Sequence, residues 1–190
     1  MCGIVGYLGN RVAQDALIDG LRRLEYRGYD SAGAAFHDGN AFSLARETGR
    51  VENLAATLRE SNPTSTLGIA HTRWATHGAV TVSNTHPHLS HDGKIALVHN
   101  GVIENYGPLK RILEGKGIEF SSETDSEVLS NLIAYHYARL EGEEEQFAQA
   151  LREALSQCRG AYGIAVLCED KPGFLLGARR GSPLVVGLGD

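Results

Sequence analysis

The chain has 190 residues, of which 42% are apolar and 22% charged, with a formal net charge of −5 at pH 7. This is the composition of one ordinary globular domain with a core of useful size, and it excludes intrinsic disorder. Lys and Arg are scattered apart from pairs such as Arg22–Arg23 and Arg179–Arg180, so no footprint for nucleic acid is present. In chain order, residues 3–8 read as a buried strand, and Ala13, Leu17, Leu21 and Leu24 then fall on one helical face. Residues 31–36 and 41–46 are small-residue and apolar runs flanking Asp38-Gly39, a hairpin signal. Val51, Leu54, Ala55 and Leu58 form a second amphipathic helix, stopped by Asn62-Pro63. Residues 67–71 and 95–99 read as strands separated by a loop rich in Gly, His and Thr. Pro108 starts a short helix through Leu113. Thr124-Asp125-Ser126-Glu127 has capping-box spacing ahead of a helix carrying Leu129, Leu132, Ile133 and His136. Phe147, Ala150, Leu151, Ala154 and Leu155 make the last helical face, and residues 161–168, 174–178 and 184–188 follow as strands. Strands in clusters with helices grouped between them favour stacked sheets covered by helices over a doubly wound parallel sheet.

The longest apolar stretches, at 161–168 and 184–188, are too short to cross a bilayer, so no membrane partner is expected. Met1-Cys2-Gly3 opens straight into an apolar run without a basic leader. The three cysteines, Cys2, Cys158 and Cys168, are an odd and sparse set that points to a reducing compartment and hence to the cytoplasm.

Cys2 carries the first chemical signal. Its side chain is small enough for Met1 to be trimmed, after which one residue holds both a thiol and a free α-amine. That amine has a reference pKa of roughly 7.7–8.0, so part of it is neutral near physiological pH and can serve as base for the sulfur. The alternative is a small buried residue starting a strand, the commoner fate of a free cysteine.

Further blocks weigh against that alternative. Met1-Cys2-Gly3-Ile4-Val5-Gly6 resembles the start of class II glutamine amidotransferases, which are N-terminal-nucleophile hydrolases. Leu24-Glu25-Tyr26-Arg27-Gly28-Tyr29-Asp30-Ser31-Ala32-Gly33 is similar to a segment of the glutamine:fructose-6-phosphate aminotransferases. His71-Thr72-Arg73-Trp74-Ala75-Thr76-His77-Gly78, His86-Pro87-His88, His99-Asn100-Gly101 and Ser122-Glu123-Thr124-Asp125-Ser126-Glu127 follow in the family's order, as do Gly160-Ala161-Tyr162-Gly163 and Gly181-Ser182-Pro183-Leu184. The resemblance covers the whole chain, 1–190, as a single glutaminase domain.

The resemblance implies an α+β fold, a four-layer αββα sandwich of two antiparallel sheets between helical layers. It also implies hydrolysis of L-glutamine to glutamate and ammonia through a thioester on Cys2, without cofactor or metal. Asn100 and Gly101 would form the oxyanion hole; a plain Asn-Gly turn is the competing reading. Arg73 would pair the substrate carboxylate and Asp125 its ammonium. Trp74, Thr76 and His77 would close over the glutamine, with Trp74 also gating ammonia passage. Arg27, Gly28, Tyr29 and His86 would shape the pocket, Tyr29 with a part in interdomain signalling. The domain normally runs on past Asp190, so the chain is expected to be truncated at its C-terminus. A sugar isomerase domain that binds fructose 6-phosphate would follow in a full-length, homodimeric protein. Two alternatives stay open: an amidotransferase domain serving another acceptor, and a non-catalytic glutamine-sensing module. His86-x-His88 with His91 raises a third, a zinc hydrolase, although convincing carboxylate partners are missing.

Overall fold

The computed structural model describes residues 2–74, 79–140 and 145–189. Among the described residues the order is β1 (Gly3–Leu8), α1 (Ala13–Leu24), β2 (Ser31–His37), β3 (Phe42–Thr48), α2 (Val51–Ser61), β4 (Leu67–Arg73), β5 (His88–Leu89), β6 (Ile95–Ile103), α3 (Tyr106–Glu114), α4 (Asp125–Tyr137), α5 (Gln146–Gln157), β7 (Gly160–Cys168) and β8 (Leu176–Arg180). The strands form two four-stranded antiparallel sheets, ordered β1-β4-β2-β3 and β5-β6-β7-β8.

Alternation along the central strands sets the layers, because successive side chains of a strand point to opposite faces. On β2, Ala32, Ala34 and Phe36 join a core with α1 and α2, whereas Ala35 faces the other sheet. On β6, Ile95 and Leu97 turn towards α3, α4 and α5, whereas Ala96 and Val98 face the first sheet. β7 repeats the pattern with Ile164 and Val166 outward and Ala165 and Leu167 inward. The result is helices, sheet, sheet, helices: the expected αββα sandwich. Among the described residues, only seven buried side chains lie between the sheets, three of them alanine, against twelve beneath α1 and α2 and twenty beneath α3, α4 and α5. Burying a large aliphatic side chain is worth about 1.5–3 kcal/mol. Docking of helices onto sheets therefore supplies most of the hydrophobic stabilisation.

Local signals account for the element ends. Asn62 closes α2 in the left-handed region at φ 45°, donating its N–H to the Leu58 carbonyl at 2.8 Å. Asp38 Oδ1 accepts from the N–H groups of Asn40 and Ala41 in the β2–β3 hairpin. Thr124 caps α4 by accepting from Glu127 N–H at 3.2 Å. The reciprocal half of the box is absent, because the buried Glu127 carboxylate instead accepts from the N–H and hydroxyl groups of Ser121 and Ser122. That carboxylate thereby ties down the segment carrying Glu123 and Thr124.

Four expectations are corrected. β1 is an edge strand with alternating exposure rather than a buried one. β6 runs on to Ile103, four residues beyond the expected stop at His99, and β8 is displaced to Leu176–Arg180. Residues 184–188 are not a strand, and Val185 and Leu188 are 90% and 97% exposed. Apolar content suits a residue to a sheet but does not provide the neighbouring strand that a ladder needs.

Candidate active site

Cys2 stands immediately before β1, whose Gly3 pairs with Thr72 of β4. The antiparallel register therefore brings the start of β1 beside the end of β4, where Arg73 and Trp74 stand. Cys2 Sγ accepts a hydrogen bond from Trp74 N–H at 3.2 Å and lies 3.7 Å from the Trp74 carbonyl oxygen. Gly28 backs this peptide. A Cβ at position 28 would lie 2.7 Å from the Arg73 carbonyl carbon and 2.9 Å from the Trp74 nitrogen, so the close approach requires glycine. The Tyr29 ring meets Trp74 edge-on with centroids 5.3 Å apart, and the Arg50 guanidinium stands 5.8 Å from the Tyr29 centroid. Gly28 and Tyr29 thus stand behind Trp74 rather than at the cavity wall. Arg27 ends the short 3-10 turn just before them.

The other sheet supplies Asn100 and Gly101. Asn100 Nδ2 donates to the Cys2 carbonyl at 3.1 Å, tying β6 to the residue before β1. Gly101 bends β6 with φ +129°, and a Cβ there would lie 2.0 Å from the carbonyl oxygen of Ala161 on β7. Only glycine fits this position. Asn100-Gly101 is therefore a bend within a paired strand and not a free turn.

Cys2, Arg73, Trp74, Asn100, Gly101 and Asp125 line one cavity of about 500 Å³. His86 also reaches its wall. Thr76, His77 and Met1 lie outside the described residues. Arg73 is buried at the end of β4, and its guanidinium donates to the Ala79 carbonyl at 3.3 Å. Asp125 opens α4, and its Oδ2 accepts from Ile103 N–H at 2.7 Å, which fixes the carboxylate against β6. Two further lining groups were not singled out from the sequence: Glu123, which accepts from Asn84 Nδ2 at 3.3 Å, and Tyr106 at the start of α3. A guanidinium with two carboxylates around a concave space complements a zwitterion. A second cavity of about 310 Å³, lined by residues including His91, Asn131 and Tyr135, holds none of the expected site residues.

Behind the cavity, His71, His86, His88 and His99 form a buried cluster joining the sheets to α4. The His71 and His86 rings lie 4.1 Å apart at 37°, and His86 meets His88 edge-on at 4.7 Å. Ser126 Oγ bridges His86 Nε2 at 2.8 Å and His99 Nδ1 at 2.9 Å, and Thr124 Oγ1 lies 3.1 Å from His88 Nε2. Burial holds all four rings neutral. It pushes His71 down to about 3 and His86 and His88 well below the usual histidine range. His99 is also lowered by burial, with Asp125 opposing the shift. The Nε2 atoms of His86 and His88 thus face hydroxyls of Ser126 on α4 and of its cap Thr124, while His91 lines the other cavity. Among the described residues, no group of three or more His, Cys, Asp or Glu is placed to hold a metal ion. Three of the four histidines lie on strands and His86 on the loop before β5, so sequence pattern gives only a weak signal for the cluster.

The family described as glutamine amidotransferase domain matches residues 71–186. Over the whole chain, identity is 51% to the glutamine--fructose-6-phosphate aminotransferase [isomerizing] of Thermus thermophilus, of which the chain spans 30%. The same enzyme from Caldanaerobacter subterraneus subsp. tengcongensis is 48% identical over all of this chain and 30% of its own length. Among solved structures, the glutamine phosphoribosylpyrophosphate amidotransferase from B. subtilis, complexed with ADP and GMP, superposes with a TM-score of 0.73. It is 27% identical, over 89% of this chain and 35% of that one.

Proposed function

The chain belongs to the glutamine amidotransferase domain family, and from that premise we propose that it hydrolyses the side-chain amide of L-glutamine with Cys2 as nucleophile. The observation that carries the proposal is the convergence of Cys2, Asn100 and the oppositely charged Arg73 and Asp125 on one cavity. With Met1 removed, the Cys2 α-amine takes the thiol proton, directly or through a water, as sulfur attacks the amide carbon. Negative charge gathers on the former carbonyl oxygen, where Asn100 Nδ2–H and the Gly101 N–H act as donors. One preorganised donor of this kind is worth about 2.7–4 kcal/mol of barrier. Collapse breaks the C–N bond, the α-ammonium returns its proton to the departing nitrogen, and ammonia leaves a γ-glutamyl thioester. Water then cleaves the thioester, releasing glutamate and restoring the thiol.

Arg73 binds the substrate α-carboxylate, and Asp125, assisted by Glu123, binds the α-ammonium. Trp74, Thr76 and His77 close over the bound amino acid; Arg27, Gly28 and Tyr29 support Trp74 from behind, and His86 supports the wall. Trp74 also gates the exit of ammonia, and its contact with Tyr29 gives a route for signalling between domains. In a longer protein the acceptor is fructose 6-phosphate, bound by a sugar isomerase domain, and the product is glucosamine 6-phosphate. Full-chain identities of 48–51% to relatives carrying that name support this acceptor. The full-length protein is a homodimer, and its setting is cytoplasmic, in keeping with the free cysteines.

The charge pair makes a specificity prediction. L-Glutamine should release ammonia with saturation kinetics. Butyramide, which lacks both head charges, should show kcat/KM lower by about 10³-fold or more, because Arg73 and Asp125 then have no substrate charge to pair. Comparable rates for the two amides would remove Arg73 and Asp125 from the proposed roles.

A further inference from the structure

We propose that His71 is a positioning residue that fixes the rotation of the Asn100 side-chain amide. The inference rests on the reading of Asn100 as an oxyanion donor and adds the group that aims it.

His71 lies on β4 in the first sheet, and Asn100 lies on β6 in the second. His71 Nε2 stands 2.8 Å from Asn100 Oδ1 with the imidazole 1% exposed, so one hydrogen bond spans the two sheets directly behind the cavity. Carboxamide oxygen and nitrogen have nearly the same shape, so the amide of Asn100 needs chemical partners to decide which end faces the reacting sulfur. On one side the partner is the Cys2 carbonyl, 3.1 Å away, which can only accept. The NH2 must therefore face Cys2, and Oδ1 must face His71. Oδ1 can only accept, so His71 carries its proton on Nε2. Burial keeps the ring neutral, with a single N–H to give.

Turning the amide by half a rotation would set Oδ1 against the Cys2 carbonyl and the NH2 against the Nε2–H. Both ends would then repel, and moving the ring proton to Nδ1 would relieve the second clash only by stranding a donor on a buried nitrogen that has no hydrogen-bond partner among the described residues. The His71 ring packs 4.1 Å from His86, itself tied to Ser126 of α4, and this contact holds the plane of the imidazole. The His71 N–H acts through Asn100 and touches no reacting atom.

Two experiments test the proposal. In the first, His71→Leu should lower kcat for glutamine by about tenfold with KM within about twofold. That is less than the roughly 10²–10³-fold loss expected when one such donor is removed outright. His71→Gln, whose NH2 can occupy the place of the Nε2–H, should recover most of the lost rate. Unchanged kcat in His71→Leu, a KM effect in place of a kcat effect, or equal impairment of both variants would overturn it. In the second, which requires no substitution, the imidazole ¹⁵N spectrum of the unaltered chain at pH 7 should show His71 protonated at Nε2 and bare at Nδ1. The opposite tautomer would refute the proposal even if neither variant folds. Lack of glutamine turnover in the unaltered, processed chain would instead strike the reading of the site itself, leaving the tautomer as the separate test of His71.

Discussion

Replacing Cys2 by alanine should abolish ammonia release from glutamine, lowering kcat by at least about 10⁴-fold. The size follows from the covalent route: loss of a nucleophile typically costs nearly the whole chemical contribution, leaving only what binding and the oxyanion donors supply. The fold should persist, because Cys2 precedes β1 and is only partly buried, and the Trp74 N–H that loses its acceptor stands in an exposed position where water can replace the sulfur. Cys2→Ser provides the control for shape. It keeps a donor and acceptor at the Trp74 peptide but presents a hydroxyl, a far weaker nucleophile than a thiol. Both variants should retain the unaltered melting temperature within a few degrees while losing turnover. Glutamine hydrolysis that survives in Cys2→Ala would assign the chemistry to another group.

The second large effect is on stability in mild acid. The unfolded chain takes up protons on histidine as the pH falls through about 6.5. His71 resists until about 3, and His86, His88 and His99 are lowered in the same direction. The unfolded state therefore binds more protons than the native state below 6.5, so stability present at neutral pH is lost on acidification. The slope is up to about 1.4 kcal/mol per pH unit for each such ring, or about 2 kcal/mol for His71 alone between pH 7 and pH 5. Against total stabilities of roughly 5–15 kcal/mol the His71 contribution alone is sizeable, and the other three rings act in the same direction. The carboxylates lowered by hydrogen bonds, Asp38 and Glu52, titrate below this window and do not confuse it. Urea midpoints should fall steadily from pH 7 to pH 5, more steeply than in a His88→Leu variant. A midpoint independent of pH over that range would show that the cluster is not held neutral.

Much of this architecture is written in local pattern. The spacing of Ala13, Leu17 and Leu21, and of Val51, Leu54 and Leu58, reports helices whose buried faces are those residues. Periodicity gave stacked sheets under helices, while the four-layer arrangement itself came from family resemblance; alternation on β2, β6 and β7 is the physical basis for it. What escaped local reading depends on distant partners. β5 is two residues long and exists because His88 and Leu89 pair with Leu97 and Ala96. Asn100-Gly101 reads as a turn, yet β7 carries the ladder through it. Residues 184–188 have strand composition, yet the ladder ends at β8 and the segment stays exposed.

The candidate site divides in the same way. Cys2, Arg73, Asn100, Gly101 and Asp125 were found by motif, and they line a common cavity. His71 belongs to the same blocks but showed no role in sequence. Its significance depends on a hydrogen bond across the two sheets to a residue 29 positions away. The sequence spacing makes Glu127 half of a capping box, yet its carboxylate secures the Ser121–Ser122 backbone, a choice set by which donors the fold delivers. Gly28 matters for the Arg73–Trp74 peptide behind it, which only the folded chain brings near.

The most direct test of the central claim is the intact mass of the chain after exposure to a diazoketone that mimics glutamine. With Met1 removed, one adduct should form, map to Cys2 and be suppressed by excess glutamine, while buried Cys158 and Cys168 stay unmodified. A chain that retains Met1, whose Cys2 nitrogen is locked in an amide, should stay unmodified throughout. Failure of the processed chain to react, or labelling that ignores Met1 and glutamine alike, would contradict an N-terminal cysteine nucleophile.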